Sequence, residues 1–565
     1  MTITSSLDAF ANQTKTTNDN KHLYFVFYYS FLRNHLHSLW QERPFAFVSA
    51  IVLGGVLALF AWNEQSRRTG RIYGMPYMHH PKQGRAYPIL GQALNFLRYR
   101  PWDLLTTWHL AYGPIVCFTL LGKTMFSIAD PVLLKYVLQS KISHVKKDVH
   151  NTYKHFLVIL GQGIVTSEDQ SWMHQRLKMS QPLRSDILTQ IPAQTLKALQ
   201  NLMKTMDHAV ETQQPVPLGE SLRHLTLQVI SGAFLSLSAE ESDSTFARIY
   251  MPIVDESNQR VWHPYRAWLI GLPFWWEYQR NVRKLNTYVS HLIRTRWTLR
   301  RREEKEGSSE REKDVLDRVL QVYEKECDPI PQFLPENMVT QFRDEMKTFM
   351  LAGHETSAAM MTWAFYELMG DPDRLVEPLL QEACTVFDVQ RDWATSTAQD
   401  LPHAEALAKL TFSEATLRES LRKYSVVPIV ARRTVKDLYM DSYYVPKGSS
   451  ILINIQGVHW NPEFWPEPMK FDPERFLNAQ LVAQRDPYTF LPFIAGPRNC
   501  LGQHLALLES KMVLSLLTQR YEFELVGQTA GSMDWSDDRD ARHRFMVPAI
   551  PKEELMVRVK FRLIS

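Results

Sequence analysis

Apolar residues recur at spacings of three and four through Gln341–Leu368, Glu405–Tyr424 and His504–Gln519, the period at which one face of an α-helix meets a core. Shorter stretches, Leu438–Val445, Ser450–Ile455 and Leu555–Leu563, alternate with period two and predict strands. The helical pattern predominates, so a mainly α fold with a few small β-sheets is expected. One segment follows neither period: from Pro44 to Trp62 the chain reads PFAFVSAIVLGGVLALFAW, nineteen residues without a charge. At helical rise that length nearly matches a bilayer core of roughly 30 Å, and the run is apolar all round. It predicts one transmembrane helix. Arg67, Arg68 and Arg71, then Lys82, outnumber Arg33 and Arg43 on the other side, which favours a cytosolic C-terminal part. A cleaved signal peptide is disfavoured, because 43 residues precede the run and no small-residue cleavage site follows Trp62. Leu23–Leu32 (LYFVFYYSFL) is too short to span but aromatic enough to lie at an interface.

These patterns divide the chain into a tail over 1–43, a transmembrane helix over 44–62, a proline-rich hinge over 63–88 and one globular body over 89–565. The charged run Arg300–Asp314 reads as a solvated loop or helix end. With 565 residues, 45% of them apolar, the body can bury a large core. The formal charge of +4 is mild and the basic residues are scattered among acids, which argues against a nucleic-acid partner. Four cysteines occur, Cys117, Cys327, Cys384 and Cys500, with no CxxC pair and no zinc-ligand spacing among them. A disulfide scaffold is therefore not expected, and the first three read as small buried apolar residues.

Cys500 is different. Phe493-Ile494-Ala495-Gly496-Pro497-Arg498-Asn499-Cys500-Leu501-Gly502 fits FxxGxRxCxG at all five fixed positions. The glycines let the backbone turn tightly and approach a flat ligand, and Arg498 offers a fixed cation to an anionic edge. Backbone N–H groups, and the positive end of a helix starting near Leu501, can stabilise a thiolate. This segment resembles the haem-binding loop of the cytochrome P-450 family. The resemblance implies the fold of that family behind the transmembrane helix, and haem b as cofactor. It makes Cys500 the axial ligand of the iron, with Phe493 and Gly496 shaping the loop and Arg498 contacting a haem propionate.

Companion motifs follow in the family's order from Ile89 to the C-terminus. Ala352-Gly353-His354-Glu355-Thr356-Ser357 is similar to its oxygen-activating signature: Gly353 is expected to loosen the helix and make room beside the iron, and Thr356 with Glu355 to relay protons. Trp172 and Arg176 fit its WxxxR helix, and Arg432 after Val427-Pro428 supplies another cation for a propionate, with Arg433 as a rival. Glu419-Ser420-Leu421-Arg422 and Arg475 of Phe471-Asp472-Pro473-Glu474-Arg475-Phe476 are expected to form a structural network on the haem side. Glu220-Ser221-Leu222-Arg223 repeats the first of these tetrapeptides and reads as a plain surface pair. Two departures stand out: Ser425 where proline is common, and Trp460 after His459 where arginine is usual.

The resemblance implies insertion of one oxygen atom from O2 into a lipophilic substrate, of isoprenoid, terpenoid or fatty-acyl type. No dinucleotide-binding fingerprint is present, so electrons are expected from a separate NADPH-dependent reductase, with cytochrome b5 as a second donor. The endoplasmic reticulum membrane is the expected location. The alternatives are an oxygen-independent haem-thiolate isomerase or dehydratase, disfavoured by Thr356, and a membrane haem-binding protein without turnover.

Overall fold

The computed structural model describes residues 90–180, 182–183, 186–306, 313–527, 548–551 and 553–563, with scattered positions between 54 and 76. The body begins with α1 (Pro101–Tyr112), β1 (Ile115–Leu120), β2 (Lys123–Ile128) and β3 (Val145–Lys147). Then α2 (Asp169–Ser180), α3 (Asp186–Thr212), β4 (Val216–Pro217), α4 (Leu218–Leu235), α5 (Arg248–Trp262), α6 (Pro273–Glu306) and α7 (Val315–Lys325) lead to α8 (Glu336–Gly370). After α9 (Pro372–Val386) and α10 (Thr411–Tyr424) come β5 (Ile429–Thr434), β6 (Leu438–Met440), β7 (Tyr443–Val445) and β8 (Ser450–Asn454). The last elements are α11 (Gln503–Arg520), β9 (Tyr521–Leu525) and β10 (Met556–Phe561).

The 35 residues of α8 run about 52 Å through the middle of the body, with Met346, Met350, Ala358, Met361 and Trp363 all fully or almost fully buried. Leu222, Leu225, Val229 and Phe234 of α4 and Met512, Val513, Leu516 and Leu517 of α11 belong to the same core. A five-stranded sheet in the order β1-β2-β8-β5-β3 carries a second core built on Phe126, Ile128, Ile451 and Ile453. Its β2–β8 pair is parallel and its other pairs antiparallel. A three-stranded sheet, β9-β10-β4, lies near the end of the chain.

Two predicted elements are subdivided. The alternating Leu438–Val445 is a hairpin, β6 pairing with β7 through Leu438↔Val445 and Met440↔Tyr443, and Asp441 takes the left-handed conformation at its turn (φ 51°). Alternation survives a two-residue turn, so the pattern by itself cannot show the reversal. The helix expected over Glu405–Tyr424 is interrupted after Leu407 and restarts at Thr411, where Glu382 of α9 caps it by accepting from the N–H groups of Phe412 (2.5 Å) and Ser413 (2.8 Å). Almost all of the 44–62 segment lies outside the described residues; among those described, no helix is long and apolar enough to cross a membrane.

Candidate active site

The loop that leads into α11 carries Cys500. Ile494 (φ 56°) and Gly496 (φ 78°) turn the backbone through the left-handed region. A Cβ on Gly496 would sit 2.3 Å from the carbonyl oxygen of Leu138, so this position needs glycine for both conformation and close approach. The Cys500 N–H closes the loop onto the Phe493 carbonyl at 2.9 Å. Cys500 is accessible to solvent, yet its sulfur is surrounded by protein, which places it in a recess and not on an outer face. Burial pushes its thiol up, while the N–H groups of Gly502 and Gln503 at the start of α11 and the charges of Arg176 and Lys147 pull it down. The first turn of α11 therefore points donors at the sulfur, as its sequence predicts.

Cations converge beside this loop. Arg498 stacks over Trp172 at 4.0 Å and donates to Glu168 and to the Ser167 carbonyl, each at 2.8 Å. Arg176, one turn after Trp172 on α2, donates to the carbonyl oxygen (2.7 Å) and side-chain Oδ1 (2.6 Å) of Asn499, gripping the residue before Cys500. Pairing of β3 with β5 sets Lys147 opposite Arg432. On β5 Arg432 is buried and Arg433 exposed. Burial, followed by repulsion from Arg432 and Arg498, lowers the Lys147 ammonium to about 7, with Glu168 opposing and Arg176 reinforcing the effect. Burial likewise brings Arg498 down to about 10 against the pull of Glu168.

Three cations and one carboxylate thus act on Lys147, a set with a surplus of positive charge that a dianionic ligand would neutralise. Haem, with two propionates and an iron that accepts a thiolate, fits these residues. Cys500 would hold its iron, and Arg498, Arg176, Arg432 and Lys147 would face its acidic edge.

On α8, Ala352 is exposed and Thr356 half-buried, in the middle of a helix most of whose residues are buried. The Thr356 hydroxyl donates to the Ala352 carbonyl at 2.7 Å. Gly353 has a different surrounding from the one its motif implies. The helix runs unbroken through it, and an added Cβ would lie 2.8 Å from Ile230 Cδ1, so its missing side chain is taken up by the packing of α4.

Glu355 is buried on another side of the helix, where Arg223 of α4 donates to it from Nε (3.1 Å) and Nη2 (2.5 Å). His354 Nε2 lies 3.2 Å from the same carboxylate without hydrogen-bond alignment, so Arg223 is the partner with the better geometry. Burial would raise the carboxyl, but His354 and Arg223 outweigh it and hold it at about 2. The surface pair expected for Glu220 and Arg223 is corrected by these contacts: Arg223 turns inward to Glu355 and to Asp255 (3.4 Å).

Below the loop, Glu419 and Arg422 are fully buried and bonded through both carboxylate oxygens at 2.7 Å. Arg422 also donates to the carbonyls of His459 (3.1 Å) and Lys470 (3.2 Å). Arg475 Nε lies 3.5 Å from Glu419, and the Asp472 N–H donates to that carboxylate at 2.9 Å. His459 extends the network to the cysteine loop. Its Nε2 accepts from the Leu491 N–H at 2.9 Å, which leaves the proton on Nδ1, 3.0 Å from the Ser425 hydroxyl. Burial, then the charge of Arg422, keeps it neutral by lowering it to about 3. Ser425, at a position where proline is common in the family pattern, thus serves as a partner for His459. His459→Ala is expected to orphan the Leu491 N–H and cost about 2–4 kcal/mol, read as a lower denaturation midpoint together with haem loss. Unchanged haem content would contradict the link to the loop.

Lys147 and Glu168 carry no motif signal of their own and enter only through strand pairing and the contacts of Arg498; Arg223, Asn499 and His459 stand in or beside motifs that gave no sign of these partners. Comparison with known proteins agrees with the geometry. The family model described as Cytochrome P450 matches residues 81–537. Among curated proteins, the chain is 26% identical to Cytochrome P450 4c21 of Blattella germanica, over 86% of this chain and 95% of that one. It is 26% identical to Protein LUTEIN DEFICIENT 5, chloroplastic, of Arabidopsis thaliana (74% and 68%), and 26% identical to Cytochrome P450 4V2 of Homo sapiens (79% and 84%).

Proposed function

The chain belongs to the cytochrome P450 family of haem-thiolate monooxygenases, and from that premise we propose that it oxygenates a lipophilic substrate at the endoplasmic reticulum membrane with electrons from an NADPH-dependent reductase. The observation that carries the reading is the recessed Cys500 sulfur beside a buried surplus of cations. Haem b, when bound, supplies the oxygen binding and redox chemistry that insert one oxygen atom into the substrate. Cys500 would supply the thiolate that holds its iron, and Arg498, Arg176 and Arg432 would neutralise its propionates. Phe493 and Gly496 fix the loop, Trp172 holds Arg498 in place, and Glu419, Arg422 and Arg475 brace the structure beneath.

The membrane reading rests on the charge-free run Pro44–Trp62 and on Trp268, Ile270 and Leu272, all exposed between α5 and α6. A lipophilic substrate, of isoprenoid, terpenoid or fatty-acyl type, suits an enzyme with such an apolar tip. One relative carries lutein, a long apolar isoprenoid, in its name. The test is substrate screening of the purified protein with reductase and, in a second arm, cytochrome b5. Reductase-dependent oxygenated product supports the proposal. Product formed without reductase or oxygen would favour isomerase or dehydratase chemistry, and haem binding without turnover a carrier.

Thr356, on the open side of α8, is assigned the proton relay. Thr356→Ala is expected to lower product formed per NADPH consumed by about 100-fold or more while consumption continues. Glu355, with its carboxyl near 2, is ionised at neutral pH and takes part through its tie to Arg223. Its folded-state value lies below the ordinary 4.5, so its contribution to stability is full above 4.5 and lost as pH falls towards 2. Arg223→Met should remove that acid resistance. Acid unfolding curves of the two proteins that coincide between pH 4.5 and 2 would disprove the tie.

A further inference from the structure

We infer that a groove between α5 and α6 is a binding site for the headgroup of an acidic phospholipid, which docks the catalytic body on the bilayer at a fixed height. Its walls are Ile249 of α5 and Trp276, Arg280, Arg283, Lys284 and His291 of α6, around a volume of about 800 Å³. Helical spacing puts Trp276, Arg280, Arg283, Lys284, Thr287 and His291 on one face, and all six are exposed apart from the fringes of their neighbours. Among the described residues no carboxylate pairs with Arg280, Arg283 or Lys284, whereas Arg294, further along the same face, is bound to Glu336 at 2.6 Å. Glu277 lies at the edge of the face by helical spacing, and Glu241 accepts at 2.6 Å from Tyr288, which also lines the groove.

The position of these cations suits a membrane interface. The segment before α6 exposes Trp268, Ile270, Leu272 and, at the first turn of the helix, Trp276. Arg280 follows Trp276 by about 6 Å along the helix and Lys284 by about 12 Å. An apolar tip sunk about 5–10 Å into the acyl boundary would therefore bring the cationic turns to the level of the phosphates. Arg266, which belongs to the tip itself, is already occupied by Glu256 at 2.6 Å. The free cations are thus set back from the tip, where a lipid phosphate would reach them while its acyl chains lie against Ile249 and Trp276. The inference rests on the membrane reading above.

The experiment uses the full-length, haem-loaded protein in neutral detergent micelles, titrated calorimetrically with dihexanoyl phosphatidylserine and with dihexanoyl phosphatidylcholine. The acidic lipid is expected to bind about tenfold more tightly or better, with a preference that shrinks as salt rises. Combined Arg280→Gln, Arg283→Gln and Lys284→Gln should abolish the preference and leave the haem spectrum unchanged. Equal affinity for the two lipids, or a preference that survives in the triple variant, would overturn the inference. So would equally tight binding of glycerophosphoserine without acyl chains, which would mark a site for a free anion. Quenching of tryptophan fluorescence by brominated phosphatidylcholine, weakened in Trp268→Ala, reads the apolar tip separately, so that reading can stand if the groove fails.

Discussion

Cys500→Ser is expected to eliminate monooxygenation, lowering turnover by about 10³-fold or more, and to abolish the thiolate-type carbonyl spectrum of the reduced protein. The reason lies in the balance around the sulfur. Burial alone pushes the thiol up, and the Gly502 and Gln503 N–H groups with Arg176 and Lys147 only partly oppose this. A bound metal deprotonates a coordinating thiol outright, but a serine hydroxyl is far weaker as an acid and as an electron donor. Serine nearly preserves shape, so folding should be retained, and haem content by pyridine haemochromogen separates lost ligation from lost protein. Cys117 provides the control. It is fully buried in β1 and burial raises its thiol to about 12, so Cys117→Ser should leave the carbonyl spectrum intact. A Cys500→Ser protein that keeps the thiolate spectrum would place the iron ligand elsewhere.

The cysteine loop, the long helix with Thr356 and the Glu419–Arg422 helix were legible because each is a local pattern whose chemistry sits within a few residues. Long-range groups were not. Lys147 meets Arg432 only through a β3–β5 ladder that joins distant parts of the chain, and neither residue's own neighbours announce the other. The two copies of Glu-Ser-Leu-Arg show the limit most clearly. At 419–422 both charges are buried and bond each other; at 220–223 Glu220 is exposed while Arg223 turns into the core to meet Glu355. Identical spacing permits a pair in both, and the surroundings decide whether a better partner exists. Gly353 shows the same thing for shape: the motif marks a missing side chain, and only packing shows that Ile230 takes the space.

Arg422→Leu is expected to be the most damaging substitution outside the cysteine loop. The guanidinium holds both oxygens of Glu419 and the carbonyls of His459 and Lys470, in a site with no exposure to water. Without it, among the described residues, Glu419 keeps the Asp472 N–H and a 3.5 Å approach from Arg475. Removing one partner of a buried pair costs about 3–5 kcal/mol, a large part of the about 5–15 kcal/mol by which folded domains are stable. The His459 carbonyl is orphaned as well, and the imidazole of that residue holds the Leu491 N–H beside the cysteine loop, so the damage should spread to haem retention. Arg422→Lys should recover little, because one ammonium cannot span four acceptors in a plane. The double variant Glu419→Leu with Arg422→Leu separates charge from architecture. If the stranded carboxylate causes most of the loss, the double variant will be more stable in denaturant than Arg422→Leu alone, by about 2 kcal/mol. If the arginine matters chiefly as the clasp on the His459 and Lys470 carbonyls, the two will unfold alike and both will lose haem.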